Sequence, residues 1–296
     1  KPEPASLVIE ETFLLDSLPS GSGIAYRNDS LFIISDDAPF IYQLSLKDFG
    51  IKKIPYNSLD TNLYRIPKAE KVDLESVTIG KEFGKEYLLA FGSGSKSPAR
   101  DSLLRIDLHD YSQAILSISD IYESMQASTN TNPQAWNIEG AAVLNDSLFL
   151  LNRGNNMVLC ISMDHFTFPK YGPISPGIVL HHKIIKLPSI SNHEARFSGL
   201  AVIDNERALF CASVEDTPDW ISDGPILGSF IGILNLQTRQ IISTHLLADS
   251  SGKPLIEKLE SVEFISKNDK DELSIYAISD DDKGSSKLFK IRIPGK

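Results

Sequence analysis

A chain of 296 residues, 42% hydrophobic and 23% charged, is long enough to bury a sizeable core and too apolar to be disordered. Its net charge of −10 and pI near 5.1 work against nucleic acid or an anionic membrane as partner, since both repel it at long range. Cationic ligands, divalent metals and neutral glycans stay compatible, and no stretch reaches the roughly 18–20 apolar residues of a membrane span.

The first residues, KPEPAS, are polar, proline-rich and without Met. They read as the start of a chain whose signal segment has been removed, which points to an extracytoplasmic location, whether periplasmic, secreted or lipid-anchored. SLVIEETFLL (6–15) is strand-like but belongs to no repeat. From residue 22 the chain resembles itself five times. The first unit opens SGIAYRNDSLFIISDD at Ser22 and runs into FIYQLSL (40–46). The second opens ESVTIGKEFGKEYLLAFGSGS at Glu75 and adds SLLRIDL (102–108) and AILSIS (114–119). DIYESMQAST (120–129) then reads as a short helix. The third unit opens EGAAVLNDSLFLLNRG at Glu139 and adds MVLCISM (157–163) and HHKIIKL (181–187). The fourth opens SGLAVIDNERALFCASVED at Ser198 and adds SFIGILNL (229–236) and QIISTHLL (240–247). The fifth opens ESVEFISKNDKDELSIYAISDDD at Glu260 and runs out after KLFKIRI (287–293).

Unit starts lie 53, 64, 59 and 62 residues apart, which fits loop insertions and excludes a tight solenoid. Within each unit, runs rich in Ile, Val, Leu and Phe are bounded by Asn, Asp, Gly and Ser, the punctuation of strands. The twice-used NDSLF marks hairpins, where Asn and Asp accept the positive φ of tight turns. Four antiparallel strands per unit predict a five-bladed β-propeller occupying 1–296, its ring closed by 6–15 as the outer strand of the fifth blade. A six-bladed propeller and a β-sandwich are the alternatives. The small second residue of each unit (Gly23, Ser76, Gly140, Gly199, Ser261) suits strands that crowd at an axis. Cys160 and Cys211 lie inside apolar strand runs and read as buried free thiols.

A propeller sorts the polar residues. Each innermost strand starts on the face to which the second strand returns, so unit openings and second-strand ends meet around one channel mouth. The openings are Ser22, Glu75, Glu139, Ser198 and Glu260. The strand ends bring Asp36, Asp37, Lys96, Arg153, Glu215, Asp280 and Asp281, with Arg196 at the same rim beside His193 and Glu194. Three glutamates around one axis raise one another's pKa or recruit a cation, and hard oxygen ligands in number suit Ca²⁺. Glu75, Glu139 and Glu260 are thus the candidate catalytic or metal-binding groups, with Asp280 and Asp281. Asp36, Asp37, Lys96, Trp136, Arg153, Arg196 and Glu215 are candidate ligand contacts. The architectural alternative has each glutamate capping backbone N–H groups of the neighbouring blade. Trp136 and Trp220 are candidates for stacking on a sugar or ring. GSGSKS (92–97) lacks the spacing of a phosphate loop, and no G-x-S-x-G elbow is present.

The ESV, EGAAV and SGLAV openings, each followed by a strand and a polar turn, resemble the phytase-like or esterase-like propeller group. More closely, the chain looks like an uncharacterised bacterial β-propeller family related to it. In alkaline propeller phytases, acidic residues at the channel mouth hold several Ca²⁺ ions, and the resemblance implies that Glu75, Glu139 and Glu260 stand at comparable positions. The chain departs from those phytases in having five units rather than six and in matching no full set of metal-binding aspartates or phosphate-gripping basic residues. Two functions follow as expectations. One is a monomeric propeller that binds a small molecule, glycan or protein at its acidic top face. The other is a Ca²⁺-assisted hydrolase of phosphate or carboxylic esters.

Overall fold

The computed structural model describes residues 7–55, 62–63, 65–67, 70–166, 180–217, 224–249, 251–280 and 284–295. Strand β1 (Val8–Leu15) comes first. Blade 1 follows as β2 (Gly21–Arg27), β3 (Ser30–Ser35), β4 (Phe40–Ser45) and β5 (Ile51–Pro55). Blade 2 is β6 (Leu74–Glu82), β7 (Lys85–Gly92), β8 (Ser102–Asp107) and β9 (Gln113–Ser117), and helix α1 (Ser119–Thr129) leads out of it. Blade 3 is β10 (Ile138–Leu144), β11 (Ser147–Asn152), β12 (Met157–Ser162) and β13 (Leu180–Ile184). A small hairpin, β14 (Ser189–Ile190) with β15 (His193–Glu194), precedes blade 4, which is β16 (Arg196–Val202), β17 (Arg207–Glu215), β18 (Ile226–Asn235) and β19 (Gln240–Leu246). Blade 5 is β20 (Lys258–Lys267), β21 (Leu273–Asp280) and β22 (Ser286–Ile293).

The sheet orders make five four-stranded antiparallel blades, the fifth reading β1-β22-β21-β20. The expected closure by the N-terminal strand is therefore present, with Val8 opposite Arg292 and Leu15 opposite Ser286. Innermost strands β2, β6, β10, β16 and β20 neighbour one another in a closed cycle. Five apolar clusters fill the five wedges between blades, so the core is a ring of interfaces rather than one central mass. Phe197 against Phe210, edge to face at 5.3 Å, is typical of the wedge between blades 3 and 4.

Hairpin chemistry sets the register. Arg27 pairs with Ser30 across a two-residue turn whose Asn28 and Asp29 have φ of 48° and 57°, the left-handed region that these residues tolerate. Leu144 pairs with Ser147 across Asn145 (φ 52°) and Asp146, so both NDSLF copies are turns at the lower face. The axis is crowded, as the small second residues imply. A Cβ on Gly199 would stand 2.7 Å from the Cα of Ser261 in the next blade. Cys160 and Cys211 are free thiols. Among the described residues, no helix is long and apolar enough to cross a membrane.

One irregularity recurs in every blade. The pairing of first and second strands slips at Gly21/Gly23, Leu74/Ser76, Ile138/Gly140, Phe197/Gly199 and Leu259/Ser261. The extra residue is Ser22, Glu75, Glu139, Ser198 or Glu260. A bulge leaves one residue outside the ladder and re-aims its side chain. Here it does so five times, always at the residue that opens the repeat.

Candidate functional site

Four of the five bulged residues, Ser22, Glu75, Glu139 and Glu260, line a cavity of about 870 Å³ at the top of the channel. Eight acidic side chains (Asp36, Asp37, Asp73, Glu75, Glu139, Glu215, Glu260, Asp280) and six basic ones (Arg65, Lys71, Lys96, Arg100, Arg153, Lys258) line it. Among the described residues, only Ile66 and Trp136 supply large apolar surface to its wall.

Two ion-pair networks organise these charges. On the side of blades 1 and 2, Arg65 reaches Asp37 Oδ2 at 2.5 Å and donates to Ser20 Oγ at 3.1 Å. Lys71 bridges Asp36 Oδ2 and Asp73 Oδ1, the latter at 2.8 Å. Asp73 also takes Arg100 Nη1 at 2.7 Å and the Ser93 hydroxyl at 2.5 Å. It does so from a left-handed backbone, φ 56°, a region that aspartate tolerates. Burial works against the charge on Lys71, and the carboxylates of Asp73 and Asp36 outweigh it and keep the ammonium protonated.

On the side of blades 3 to 5, Arg153 is clamped between Glu139 Oε2 at 3.0 Å and Glu215 Oε1 at 2.6 Å. Lys258 stands 3.1 Å from Glu260 and 3.6 Å from the same Glu215 oxygen. Arg153 is held by its local backbone. Asn152 at the end of β11 donates to Ala135 O and accepts from Asn137 N, and a Cβ on Gly154 would collide with Ala135 O at 2.1 Å. Burial raises Glu139 to about 7 against the pull of Arg153.

Glu75 lies between the networks. Alone among the described carboxylates of the cavity, it has neither an ion pair nor a hydrogen bond. Burial, and then the negative charges of Asp73, Asp36, Glu139 and Glu260, push its carboxyl well above the ordinary range. Those surroundings favour its protonated form, the kind of perturbation that marks an acid–base group. One oxygen each from Asp36, Asp73 and Glu75 lies within 4.8 Å of the others, close enough to grip a cation. Lys71 and Arg100 already neutralise the two aspartates, so a divalent ion fits there only by displacing Lys71.

Most of the residues singled out in the sequence come together. Asp36, Asp37, Glu75, Lys96, Trp136, Glu139, Arg153, Glu215, Glu260 and Asp280 all line the cavity. Arg196, at the first position of β16, does not; it is half-buried and has no ion pair or hydrogen bond among the described residues. His193 instead pairs with Asp216 at 3.2 Å. Asp281 and Trp220 lie outside the described residues. Trp136 is no platform at the rim. It is fully buried, edge to face with Tyr122 at 5.5 Å, and Gly94 (φ 70°) packs so closely that a Cβ there would meet its ring at 2.6 Å.

Nor do the glutamates cap neighbouring backbone. The serines at the same repeat position do the stitching, Ser22 Oγ donating to Leu74 O and Ser198 Oγ to Leu259 O, both at 2.6 Å. The sequence reading missed Arg65, Lys71, Asp73, Arg100 and Lys258. A signal for two of them was present. The residues two positions before the five unit openings are Ser20, Asp73, Asn137, Arg196 and Lys258, all polar. At the period of an extended strand they share a face with the channel residues.

The model of a family described as "Family of unknown function (DUF6929)" matches residues 17–293. No curated protein matches the sequence. Among solved structures, the chain resembles a glutaminyl cyclase of Myxococcus xanthus, with a TM-score of 0.54, 12% identity and 99% of each chain covered. It also aligns with a luciferin-regenerating enzyme (TM-score 0.46, 10% identity, 94% of this chain and 95% of that one). A streptogramin B lyase gives a TM-score of 0.40 at 12% identity over 96% and 98% of the two chains. At such identities the likeness to the cyclase is one of fold.

Proposed function

For a chain that belongs to DUF6929, a family whose description leaves the function open, we propose that the top cavity binds a small polar molecule and that Glu75 is its acid–base group. One observation carries the reading. Among the described residues, five of the six cations in the cavity wall are committed to carboxylates, and Glu75 is left without a partner at the point where the two networks meet. Pairing elsewhere fixes the wall; the unpaired acid is the group free to exchange hydrogen bonds or a proton with a ligand. The volume suits a small molecule rather than a folded partner. The same reading puts the protein at work as a monomer in an extracytoplasmic compartment, which cell fractionation tests.

The experiment is a thermal-shift and turnover screen of sugars, amines, carboxylic and phosphate esters and glutaminyl compounds on wild type and Glu75→Gln. A compound that raises the melting temperature of wild type and not of the variant supports the site. Hits that stabilise both proteins equally place binding elsewhere and sink it.

The second reading is a Ca²⁺-assisted ester hydrolase of phytase-like type, favoured by the closeness of the Asp36, Asp73 and Glu75 oxygens. Its cost is displacement of Lys71. Calcium titration decides. A melting-temperature rise that Asp73→Asn abolishes supports it, and no response at millimolar calcium removes it.

A further inference from the structure

The charges of the cavity narrow the class of ligand. Asp36, Asp37, Asp73, Glu139, Glu215 and Glu260 each hold a cation of the protein, through contacts of 3.1 Å or less. Asp280 has its own partner. Glu75 is reached by none of them, although four of these carboxylates surround it electrostatically. A second, separate sign of a missing donor lies beside it. Asp36 Oδ2 accepts from Lys71 Nζ, and its buried Oδ1 has no hydrogen-bond donor. Among the described residues, the wall around Glu75 thus lacks positive charge and N–H donors at the Glu75 carboxylate and at Asp36 Oδ1, and its one buried donor without an acceptor is the indole Nε1 of Trp136.

Resting on the reading of this cavity as the ligand site, we propose that its ligand is a small polar molecule carrying one protonated primary amine, seated with the ammonium on Glu75. A single ammonium supplies one positive charge and three donors to the one unmatched carboxylate and its neighbours. It leaves Lys71 and Arg100 in place, where a divalent ion bound by the trio must expel Lys71 and then carries more charge than the unmatched group offers. The body of the molecule is polar, because among the described residues Ile66 and Trp136 are the only large apolar side chains on the wall. An amino sugar is of the right size and character for a cavity of about 870 Å³.

Isothermal titration at pH 7 with matched probes tests this on the whole chain. Glucosamine is set against glucose and N-acetylglucosamine, and ethanolamine against ethylene glycol. The amines are expected to bind at least tenfold more tightly than their neutral partners. Glu75→Gln, whose fold is checked by its melting temperature, loses at least tenfold for the amines alone. Glu75→Asp keeps the preference for the amine at reduced affinity. If neutral or phosphate-bearing probes bind instead, and Glu75→Gln weakens them, the amine class is overturned while the cavity reading stands. If no probe binds, or Glu75→Gln changes nothing, both fall.

Discussion

Arg153, with its side chain 8% exposed between Glu139 and Glu215, shows how a buried charge fixes a site that it does not itself complete. Removing one member of a buried pair strands the others, at about 3–5 kcal/mol. Arg153→Met is expected to lose that much in urea unfolding. Arg153→Met with Glu139→Gln recovers part of it, because one stranded carboxylate is gone; no recovery would show the loss to be packing alone. Glu263 makes a different prediction. It is half-buried on β20 without an ion pair, its Oε1 accepts from Phe264 N, and burial raises it from about 4.5 to about 8. An acid raised in the fold stabilises below its unfolded value, and that stability is lost as pH climbs through the folded one. Between pH 4.5 and 8 wild type should therefore lose on the order of 1–3 kcal/mol that Glu263→Gln keeps, measured as the unfolding free energy against pH. The three channel glutamates were legible because a repeat exposes equivalent positions. The cations that hold Asp36, Asp37 and Asp73 were not, since Arg65, Lys71 and Arg100 sit in connections whose path no periodicity fixes.

At the scale of the element, the five-fold bulge explains why glutamate and serine can replace each other at the channel mouth without disturbing the blades. The ladder skips the position, so it carries no pairing duty, and the next residue must be small to pass the axis. Gly199→Ala tests the second half of that statement. Its Cβ meets the backbone of Ser261 at 2.7 Å and Cys211 Sγ at 2.9 Å, and backbone cannot step aside as a side chain can. The variant should lose about 1–3 kcal/mol by thermal or urea unfolding, and an unchanged midpoint would mean that the inner strands are free to shift. The same crowding made the inner strands the most readable part of the sequence, their Gly and Ser punctuating long apolar runs. Strand β5 went unread. IKKIP carries two exposed lysines and a proline, so on an edge, where only one face packs, it looks like a loop.

Across the molecule, the ring is held by a pairing between the two ends of the described chain, Val8–Leu15 against Ser286–Ile293. Without β1, blade 5 ends on β22, whose outer edge would present unpaired N–H and C=O groups to any passing strand. The strand also brings Leu7 and Leu15 into two different wedges, one between blades 4 and 5 and one between blades 5 and 1. Losing it therefore loosens both faces of the last blade, and with them Lys258 and Glu260 at the start of β20. Deleting residues 1–16 should cost roughly 4–6 kcal/mol from the two buried leucines, a fall of about 8–12 °C in melting temperature for a chain of this size. The exposed edge should also make the truncated protein self-associate in size-exclusion chromatography. A synthetic peptide of residues 5–17 supplied in trans is the decisive addition. If closure is the strand's role, the peptide restores both the wild-type elution volume and most of the lost melting temperature. A peptide with Leu7 and Leu15 replaced by Ser restores neither. Should the truncated protein melt like wild type, the blade is closed by its wedges alone and the terminal strand is ornament.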